Sequence, residues 1–499
     1  MSVDVKVLGL PGAFPDDQQV YSNPGPQIAW PKPDDCHFAQ AWIANGVFST
    51  SVLPLPFSLT AMTSRRQFLS TATTAAFAAS SFHIFGADTG KKHRTALIGS
   101  GWWGMNILKE AIAHGRVKVC ALCDASEDVM SNAADEVNGL NGDEPKLYKD
   151  YRELLDKEKP EIVIIGTPDH WHALQSIAAC QAGAHVYVEK PTGHTINESK
   201  AMVKAAQKAG VVVQVGLHRR IGPHHVEAMN FLKSGALGKV EKVRAFVLGK
   251  GGPEQPKPNS KVPEGMDWDL WCGPAPMRPF NTKIAPGGWR NFLDYANGTM
   301  ADWGVHWLDQ ILWWSDEKGP KKVTCTGGRE VAGPPVLSDK EQTTDAPDHQ
   351  LATFEFENFT ATWEHRKTPE GSNEKHKIGT CFHGEKGMLH IGWRDGWTFY
   401  PTNAKEGEKH GDHKLQEPDG HNIALLWNDF IDAIEKKRAP VAGIEAAHRS
   451  SCLPLLGMLS YKAGRSIQWD PVKEEIIGDA EAGKLMGREY RKPWLYPAL

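Results

Sequence analysis

An apolar strand that runs directly into a glycine turn is the most constraining feature of this chain. Residues 94–126 read RTALIGSGWWGMNILKEAIAHGRVKVCALCDAS, in which Gly99, Gly101 and Gly104 fit the pattern G-x-G-x-x-G. The three glycines suit a tight turn, close approach of the backbone to a pyrophosphate, and close packing of a helix on a strand. The helix that follows has free N–H groups at its first turn. The stretch therefore predicts a strand, a turn and a helix that together bind an anion.

An acidic residue extends this pattern. Asp124 ends the second predicted strand, about 20 residues beyond Gly104, where a carboxylate accepts hydrogen bonds from ribose hydroxyls. A carboxylate at this position repels a 2′-phosphate, so the pattern favours NAD over NADP. The alternative is a plain turn followed by a surface aspartate. Trp102 and Trp103 are bulky for this turn, and we expect them either to cover the phosphates or to pack against the protein.

Strands and helices alternate up to Gly216. The alternation predicts a doubly wound parallel sheet of the Rossmann type. Its further elements are predicted at 149–157, 173–182 and 196–208 for helices and at 161–166, 185–188 and 211–215 for strands. After Gly216 the rhythm changes, and partial two-residue alternation at 240–248, 350–357, 360–365 and 378–383 predicts a mainly antiparallel open sheet in an α+β domain. Residues 251–265, dense in Pro, Gly and Lys, are predicted to form a loop or insertion.

The chain is thus divided into five segments. Residues 91–216 are the predicted Rossmann dinucleotide-binding domain and residues 217–470 the predicted substrate and oligomerisation domain. The remaining segments are an N-terminal extension, a signal region and a C-terminal tail, at residues 1–61, 62–90 and 471–499.

Two polar clusters stand at the predicted carboxyl ends of parallel strands, where ligands bind in such sheets. One is GTPDHWH, Gly166 to His172, and the other is VEKP, Val188 to Pro191. A buried ammonium is costly unless it is paired or used, so Lys190 is a candidate for chemistry beside the nicotinamide of a dinucleotide. Pro191 is alternatively no more than a strand stop.

These motifs, followed by DWGVH at Asp302 to His306, resemble the Gfo/Idh/MocA oxidoreductases, the group of glucose–fructose oxidoreductase and inositol dehydrogenase. The resemblance covers roughly residues 94 to 470. It implies that Lys190 touches substrate and cofactor and that the Lys190–Pro191 bond is cis. It also implies that the second domain forms homo-oligomers, dimers or tetramers, through its exposed sheet face. Together, the glycine-turn pattern and the resemblance predict the cofactor-binding residues, which are Gly99, Gly101, Trp102, Trp103, Gly104, Asp124, Thr167, Pro168, His172, Glu189 and Lys190.

Asp302 and His306 interrupt an apolar stretch, Met300 to Trp314, which we expect to form one buried helix. Four residues apart, they share one helical face. They are either a capping aspartate and a satisfied core histidine or, as the resemblance implies, a catalytic pair opposite Lys190 across the nicotinamide. As a catalyst, His306 can take a hydroxyl proton near neutral pH, while Asp302 orients the imidazole or binds a neighbouring hydroxyl. Whether Lys190 or His306 is the base stays open.

Several other residues are candidates for the substrate side of the cleft. GLHRR, Gly216 to Arg220, follows the last Rossmann strand, so His218 and Arg219 are predicted to contact the substrate, although Arg219 or Arg220 is equally suited to a domain-interface ion pair. Trp289 is predicted to offer a flat face to a sugar, as are Trp268, Trp271 and Trp303, with core packing as the alternative. His170 and His172 have the alternating spacing of a metal pair, but we predict no metal site.

Composition excludes some classes of function. The net charge of -4 gives no electrostatic case for nucleic acid, and no run of 18 apolar residues predicts a membrane span. The eight cysteines are scattered, which argues against a disulfide framework or a zinc site.

Residues 62–80, MTSRRQFLSTATTAAFAAS, resemble a twin-arginine export signal, with cleavage expected after Ala78 or Ala87. We therefore expect Met62 to be the true start and the protein to be periplasmic or otherwise exported. It is cytoplasmic if the signal is not used.

The sequence predicts an NAD-dependent oxidoreductase that acts on a secondary alcohol of a sugar or polyol. Because free NAD is scarce outside the cytoplasm, we expect the cofactor to stay bound. The alternative is a redox-neutral glycosidase or lyase that acts through a transient keto-sugar. A non-catalytic NAD-binding protein is disfavoured by the presence of Lys190, Asp302 and His306 together.

Overall fold

The computed structural model describes residues 90–414 and 419–497. The predictions for residues 1–61, and for residues 62–89 of the signal region, lie outside the described residues. In the described part the chain forms two large sheets, each with helices packed against it, and a separate two-stranded ribbon.

The first sheet has six parallel strands in the order β3-β2-β1-β4-β5-β6, which confirms the predicted doubly wound fold. Its strands are β1 (His93–Ile98), β2 (Val117–Cys123), β3 (Lys146–Tyr148), β4 (Ile162–Ile165), β5 (His185–Val188) and β6 (Val213–Val215). Apolar strands such as β4 are buried along their whole length because helices cover both faces of the sheet. The strand order reverses between β1 and β4, which opens a crevice at their carboxyl ends.

Helices connect these strands. They are α1 (Trp102–His114), α2 (Glu127–Asn141), α3 (Tyr151–Glu158), α4 (Asp169–Gln181) and α5 (Ile196–Ala209). Helix α4 begins at Asp169, four residues before the predicted start, since Pro168 occupies its N-cap position. Asp169 to His172 therefore lie in the first helical turn rather than in a loop.

The second sheet has ten strands in the order β16-β15-β14-β13-β7-β12-β11-β9-β17-β18. Only the β7–β12 pair is parallel, so the predicted mainly antiparallel sheet is confirmed. Its strands are β7 (Val240–Lys250), β9 (Lys322–Gly328), β11 (His349–Glu355), β12 (Thr360–Thr368), β13 (Ile378–Gly384), β14 (Gly387–Ile391), β15 (Trp397–Pro401), β16 (Lys409–Gly411), β17 (Ile467–Asp470) and β18 (Glu475–Ile476). A separate two-stranded ribbon joins β8 (Lys257–Pro258) to β10 (Glu341–Gln342) inside and beyond the predicted loop.

The helices of the second half are α6 (Pro223–Lys233), α7 (Trp268–Cys272), α8 (Gly298–Asp302), α9 (Gly304–Ser315), α10 (Gly420–Lys436), α11 (Ile444–Ala463) and α12 (Ala480–Lys484). Trp307 and Ile311 of α9 and Leu456 of α11 are fully buried in one core with the sheet residues Phe354 and Trp363.

Two C-terminal segments pack against the first domain. Helix α10 places Trp427 and Phe430 against Tyr187 of β5. Beyond β17, Arg488 donates to the buried carboxylate of Glu198 at 2.8 Å, and Trp494 meets Trp171 edge to face. The first domain is thus covered by chain that comes from far along the sequence.

No helix among the described residues is long and apolar enough to cross a bilayer. The seven cysteines of the described residues are all free thiols and all buried.

Candidate active site between the two domains

Two adjoining cavities, of about 440 and 250 Å³, open at the carboxyl ends of the parallel strands. The larger one adjoins the glycine turn and Asp124. The smaller one holds Lys190, Asp302 and His306. Both cavities are bordered by a shared set of residues, Trp102, Trp103, Gly166, Thr167, Trp289 and Arg290.

The glycine turn has the geometry that a dinucleotide requires. Gly99 has a φ of 88°, and a Cβ on it would lie 2.7 Å from the backbone nitrogen of Thr167. A Cβ on Gly104 would lie 2.0 Å from the carbonyl oxygen of Gly99, so the glycine permits α1 to pack on the turn. At Gly101 an added Cβ meets no atom within 4 Å, which leaves the approach to the first turn of α1 open. These features fit a pyrophosphate at the helix N-terminus.

Asp124 borders the larger cavity. Its carboxylate accepts hydrogen bonds from the backbone N–H groups of Ser100, at 2.9 Å, and Ser126, at 3.1 Å. Burial raises the pKa of Asp124 to about 6, and the bonds from Ser126 and Ser100 only partly offset this. Two backbone donors leave part of the carboxylate free to accept ribose hydroxyls.

A strap from the second domain borders the same cavity as Asp124. We define the strap as residues 263–271, of which Pro263, Glu264, Met266, Leu270 and Trp271 border the larger cavity. The backbone N–H of Asp267 donates to Ala125 at 2.8 Å, and that of Glu127 donates to Gly265 at 3.1 Å. The strap therefore joins the two domains over the cavity. Trp271 of the strap borders the cavity and stacks on Trp268 at 4.6 Å.

An ion pair links the domains in the smaller cavity. The ammonium of Lys190, which follows β5, donates to Asp302 Oδ1 at 2.8 Å and to the Asp302 carbonyl oxygen at 3.0 Å. Burial disfavours the Asp302 carboxylate, but the charges of Lys190 and then Arg290 outweigh this and hold its pKa below the usual range. The Lys190–Pro191 peptide is cis, as the family resemblance implied.

The hydrogen bond from the Lys190 ammonium also explains why Met300 to Trp314 do not form the single helix that was predicted. In a continuous helix the carbonyl of Asp302 would accept from the N–H of His306. Here that carbonyl accepts from Lys190, and the His306 N–H donates to Trp303 at 3.2 Å. The predicted single helix from Met300 to Trp314 is therefore wrong, because the chain is broken at Trp303 between α8 and α9. Asp302 is bonded to Lys190, and no hydrogen bond joins it to His306 among the described residues, so the other role predicted for Asp302, binding a neighbouring hydroxyl, stays a prediction.

His306 projects from α9 into the smaller cavity. Its Nδ1 is buried without a hydrogen-bond partner among the described residues. Burial, and then the charges of Arg219 and Lys190, hold its pKa well below the usual range. The imidazole is therefore neutral at pH 7 and able to accept a proton.

A buried imidazolium lies beside this pair. His218 Nδ1 is 3.1 Å from Asp419, its Nε2 is 3.6 Å from Glu189, and its ring stacks on Trp103. Burial disfavours the charge, but the hydrogen bond to Asp419 and the negative charges of Asp419 and Glu189 raise the pKa of His218 to about 9. The position of Glu189 requires Gly216, where an added Cβ would lie 2.2 Å from its Oε1.

The structure distinguishes the roles of Arg219 and Arg220, between which the sequence could not decide. Arg220 forms the ion pair, donating from Nε to both oxygens of Asp309 at 2.9 and 3.0 Å. Arg219 borders the smaller cavity, with its guanidinium 4.6 Å from the ring of Trp307. Trp289, also predicted for the substrate, borders both cavities under the guanidinium of Arg290.

The remaining predicted residues line the junction of the cavities. Thr167 and Pro168 follow β4 and lead into α4, and both border the larger cavity. His172 is buried with its ring nitrogens 2.7 Å from the Pro191 carbonyl and 2.8 Å from the Thr167 carbonyl, so it holds the two clusters together. His170 is bonded to the Trp271 carbonyl at 3.1 Å, which removes it from a metal pair with His172.

Apart from Gly166, which has no side chain, four residues that border the smaller cavity were not predicted from the sequence as site residues. They are Asp169, Arg290, Trp393 and Asp419. Burial raises the pKa of Asp169 to about 7, and its Oδ2 has no hydrogen-bond partner among the described residues. Asp169 lies within the GTPDHWH cluster, and its membership of that cluster is the sequence signal that could have identified it as a site residue. Arg290 lies in a 3-10 helix, Gly288–Asn291, and Asp419 is the N-cap of α10, and neither lies in a recognisable sequence motif.

Family models match both halves of the chain. Residues 93–217 match the oxidoreductase family, NAD-binding Rossmann fold, and residues 248–331 and 413–496 match the oxidoreductase family, C-terminal alpha/beta domain.

Among similar proteins, a glycosyl hydrolase family 109 protein of Stenotrophomonas maltophilia (strain K279a) is 31% identical over 211 residues, 38% of this chain and 45% of that protein. Glycosyl hydrolase family 109 protein 1 of Shewanella sp. (strain MR-4) is 28% identical over 151 residues, 30% of this chain and 33% of that protein. The chain thus spans a third to less than half of the length of these relatives.

Solved structures share the fold. A levoglucosan dehydrogenase in complex with NADH and levoglucosan has a TM-score of 0.57 at 19% identity, covering 76% of this chain and 99% of that chain. The WlbA dehydrogenase from Bordetella pertussis, in complex with NADH and UDP-GlcNAcA, has a TM-score of 0.55 at 18% identity with the same coverage. The two family models together establish what these likenesses suggest: the chain belongs to the Gfo/Idh/MocA oxidoreductase family and has its NAD-binding Rossmann fold.

Proposed function

We propose that the protein is an NAD-dependent oxidoreductase that oxidises a secondary alcohol of a sugar or polyol. The observation that carries the proposal is the meeting of Lys190, from the first domain, with Asp302 and His306, from the second, in a cavity that adjoins the glycine turn. A paired ammonium and a neutral imidazole at the end of a dinucleotide site are the groups that alcohol oxidation requires.

The bound cofactor supplies a hydride acceptor at its nicotinamide ring. The glycine turn and the first turn of α1 hold the pyrophosphate, and Asp124 holds the adenosine ribose. His306 takes the hydroxyl proton of the substrate, because its imidazole borders the smaller cavity and is neutral. Lys190, held by Asp302, donates a hydrogen bond to the same substrate oxygen as negative charge develops there.

Specificity for NAD over NADP is part of the proposal. Asp124, Asp128 and Glu264 border the larger cavity near the expected ribose, and they disfavour a 2′-phosphate. The lysine on that side, Lys149, is already paired with Glu127 at 2.7 Å.

We further propose that NAD remains bound between turnovers. The strap that joins Ala125 and Glu127 to the second domain hinders release of the adenosine half. Retention suits a protein that the twin-arginine-like segment at residues 62–80 exports already folded. N-terminal sequencing of the precursor tests the predicted start at Met62, which is wrong if residues 1–61 are found.

A redox-neutral glycosidase or lyase is the second candidate. It is favoured by the names of the two relatives, both glycosyl hydrolase family 109 proteins. In that reaction, hydride transfer to the bound NAD forms a ketone that acidifies a neighbouring C–H, a base removes that proton, and the leaving group departs with a proton from an acid. Water then adds to the resulting double bond in a glycosidase, or the unsaturated sugar is the product in a lyase, and the hydride returns to the ketone. Asp169, with a pKa of about 7, is suited to protonate a leaving group in the same cavity.

One experiment separates the two. The purified protein is incubated with a panel of sugars and glycosides while absorbance near 340 nm and product mass are followed together. A lasting reduced signal with an oxidised product supports the dehydrogenase, and cleaved product without net reduction supports the redox-neutral route. Wild-type behaviour of Lys190→Met and His306→Asn in both readouts refutes the site assignment for either.

A further inference from the structure

The two consecutive arginines after β6 differ in what neutralises them. Arg220 has a complete partner in Asp309, which also accepts from Ser450 at 2.6 Å. Arg219 is only 4% exposed, yet no hydrogen bond or ion pair reaches its guanidinium from the described residues, and its Nε is buried without a partner. An unpaired buried guanidinium is costly, so its retention at a cavity wall calls for a ligand.

The neighbouring carboxylates are engaged elsewhere. Asp419 accepts from His218 at 3.1 Å and from Asn422 at 2.8 Å, and Asp309 is engaged by Arg220. The ring of Trp307 lies 4.6 Å from the Arg219 guanidinium and fixes it, but an aromatic face does not satisfy its N–H groups. The guanidinium therefore keeps donor capacity on the side of the smaller cavity.

We propose that Arg219 binds a carboxylate on the substrate, so that the natural substrate is an acidic monosaccharide of the uronic acid class. The inference rests on the proposed function, because it assigns the substrate of that same cavity. A planar guanidinium matches a planar carboxylate with two parallel hydrogen bonds. The cavity, at about 250 Å³, is smaller than the roughly 300–1,000 Å³ of most ligand sites and suits one sugar ring.

The position of Arg219 also makes the pKa of the base, His306, depend on the charge of the substrate. Among the charges that lower the pKa of His306, that of Arg219 comes first, after burial itself. A carboxylate on Arg219 offsets this charge, so it makes His306 a stronger base when an acidic substrate is bound. Arg219 thus favours an acidic substrate in two ways: it binds the carboxylate, and the carboxylate then makes His306 a stronger base for proton transfer.

The test measures equilibrium binding rather than turnover. The NAD-loaded full chain is titrated with D-glucuronate, D-galacturonate and D-mannuronate and with the three matching neutral hexoses, by calorimetry. At least one acid is expected to bind about tenfold or more tightly than its neutral partner. Arg219→Gln is expected to lower the affinity for that acid by about 10- to 100-fold and to leave the neutral sugar within about twofold. Arg219→Lys should fall between, since it keeps the charge and loses the planar fork.

The outcomes are distinct. No preference for the acid in any of the three pairs, or equal affinity of wild type and Arg219→Gln for the preferred acid, overturns the inference. If a sulfated hexose binds through Arg219 and the uronates do not, Arg219 still forms an anion-binding subsite, but the proposal that its ligand is a carboxylate is wrong. If the uronate binds through Arg219 but no sugar changes absorbance near 340 nm or product mass, the proposed function fails and the subsite stands. If the wild type oxidises neutral sugars but binds no uronate more tightly than its neutral partner, the proposed function stands and the inference fails.

The stability of Arg219→Gln guards against a folding artefact. Because Arg219 has no polar partner to lose among the described residues, the unfolding midpoint of the variant should not fall by more than a few degrees.

Discussion

Replacing Asp124 with alanine is expected to weaken NAD binding by about 100-fold. The carboxylate is held by the backbone N–H groups of Ser100 and Ser126, at 2.9 and 3.1 Å, and its remaining acceptor capacity borders the larger cavity. Two ribose hydroxyls that donate to this carboxylate each contribute about 1.5 kcal/mol at the lower end for charged acceptors. Their sum, about 3 kcal/mol, corresponds to roughly two powers of ten in affinity.

The same carboxylate should make NAD binding depend on pH. Burial raises the pKa of Asp124 to about 6 in the protein without nucleotide. A proton on the carboxyl removes acceptors that the ribose needs, so proton binding competes with NAD. The affinity for NAD should therefore be constant above about pH 7 and fall by close to tenfold for each pH unit well below about 6. In Asp124→Ala this fall should be absent or much reduced.

The assay is a calorimetric titration of NAD into nucleotide-depleted protein between pH 5 and 8. Asp128→Ala is the matched control, since Asp128 borders the same cavity but is exposed at the start of α2, and its affinity for NAD should stay within about twofold. Wild-type affinity in Asp124→Ala at pH 7.5, or the same slope with pH in wild type and variant, would refute the assignment of Asp124 to the ribose.

Two further substitutions test the packing around the site. Arg220→Met removes the cation that pairs with Asp309, whose side chain is 1% exposed. We therefore expect the free energy of unfolding, measured by denaturant titration, to fall by about 3–5 kcal/mol. An unchanged unfolding midpoint would contradict the buried ion pair. Gly216→Ala places a Cβ 2.2 Å from the present position of Glu189 Oε1, so turnover should fall more than about tenfold. The control is Gly252→Ala, which should behave as wild type because an added Cβ there meets open space. Equal activity of both alanine variants would contradict that packing.

The parts of the fold set by local pattern were predictable from the sequence. The strand, the glycine turn and Asp124 lie within one continuous stretch, so their relation follows from chain geometry. The cis Lys190–Pro191 bond and the approach of Lys190 to Asp302 came from the family resemblance rather than from any pattern in the residues.

Contacts between distant segments could not be predicted. The break at Trp303 depends on an ammonium 112 positions away in sequence that takes the Asp302 carbonyl. The distinct environments of Arg219 and Arg220 depend on Asp309 and on the cavity wall, which no pattern in GLHRR encodes. The strap reads as an irregular loop in sequence, and only its hydrogen bonds to Ala125 and Glu127 reveal its position over the cavity.

The central claim is that an ammonium from one domain and an imidazole from the other act on the same substrate oxygen. The most direct test is the pH dependence of single-turnover reduction of bound NAD in wild type, Lys190→Met and His306→Asn, with a sugar that the wild type oxidises. We predict that each variant loses about 10²- to 10⁴-fold in rate, and that the acidic limb of the wild-type profile persists in Lys190→Met but disappears in His306→Asn. Unchanged rates in both variants would contradict the account.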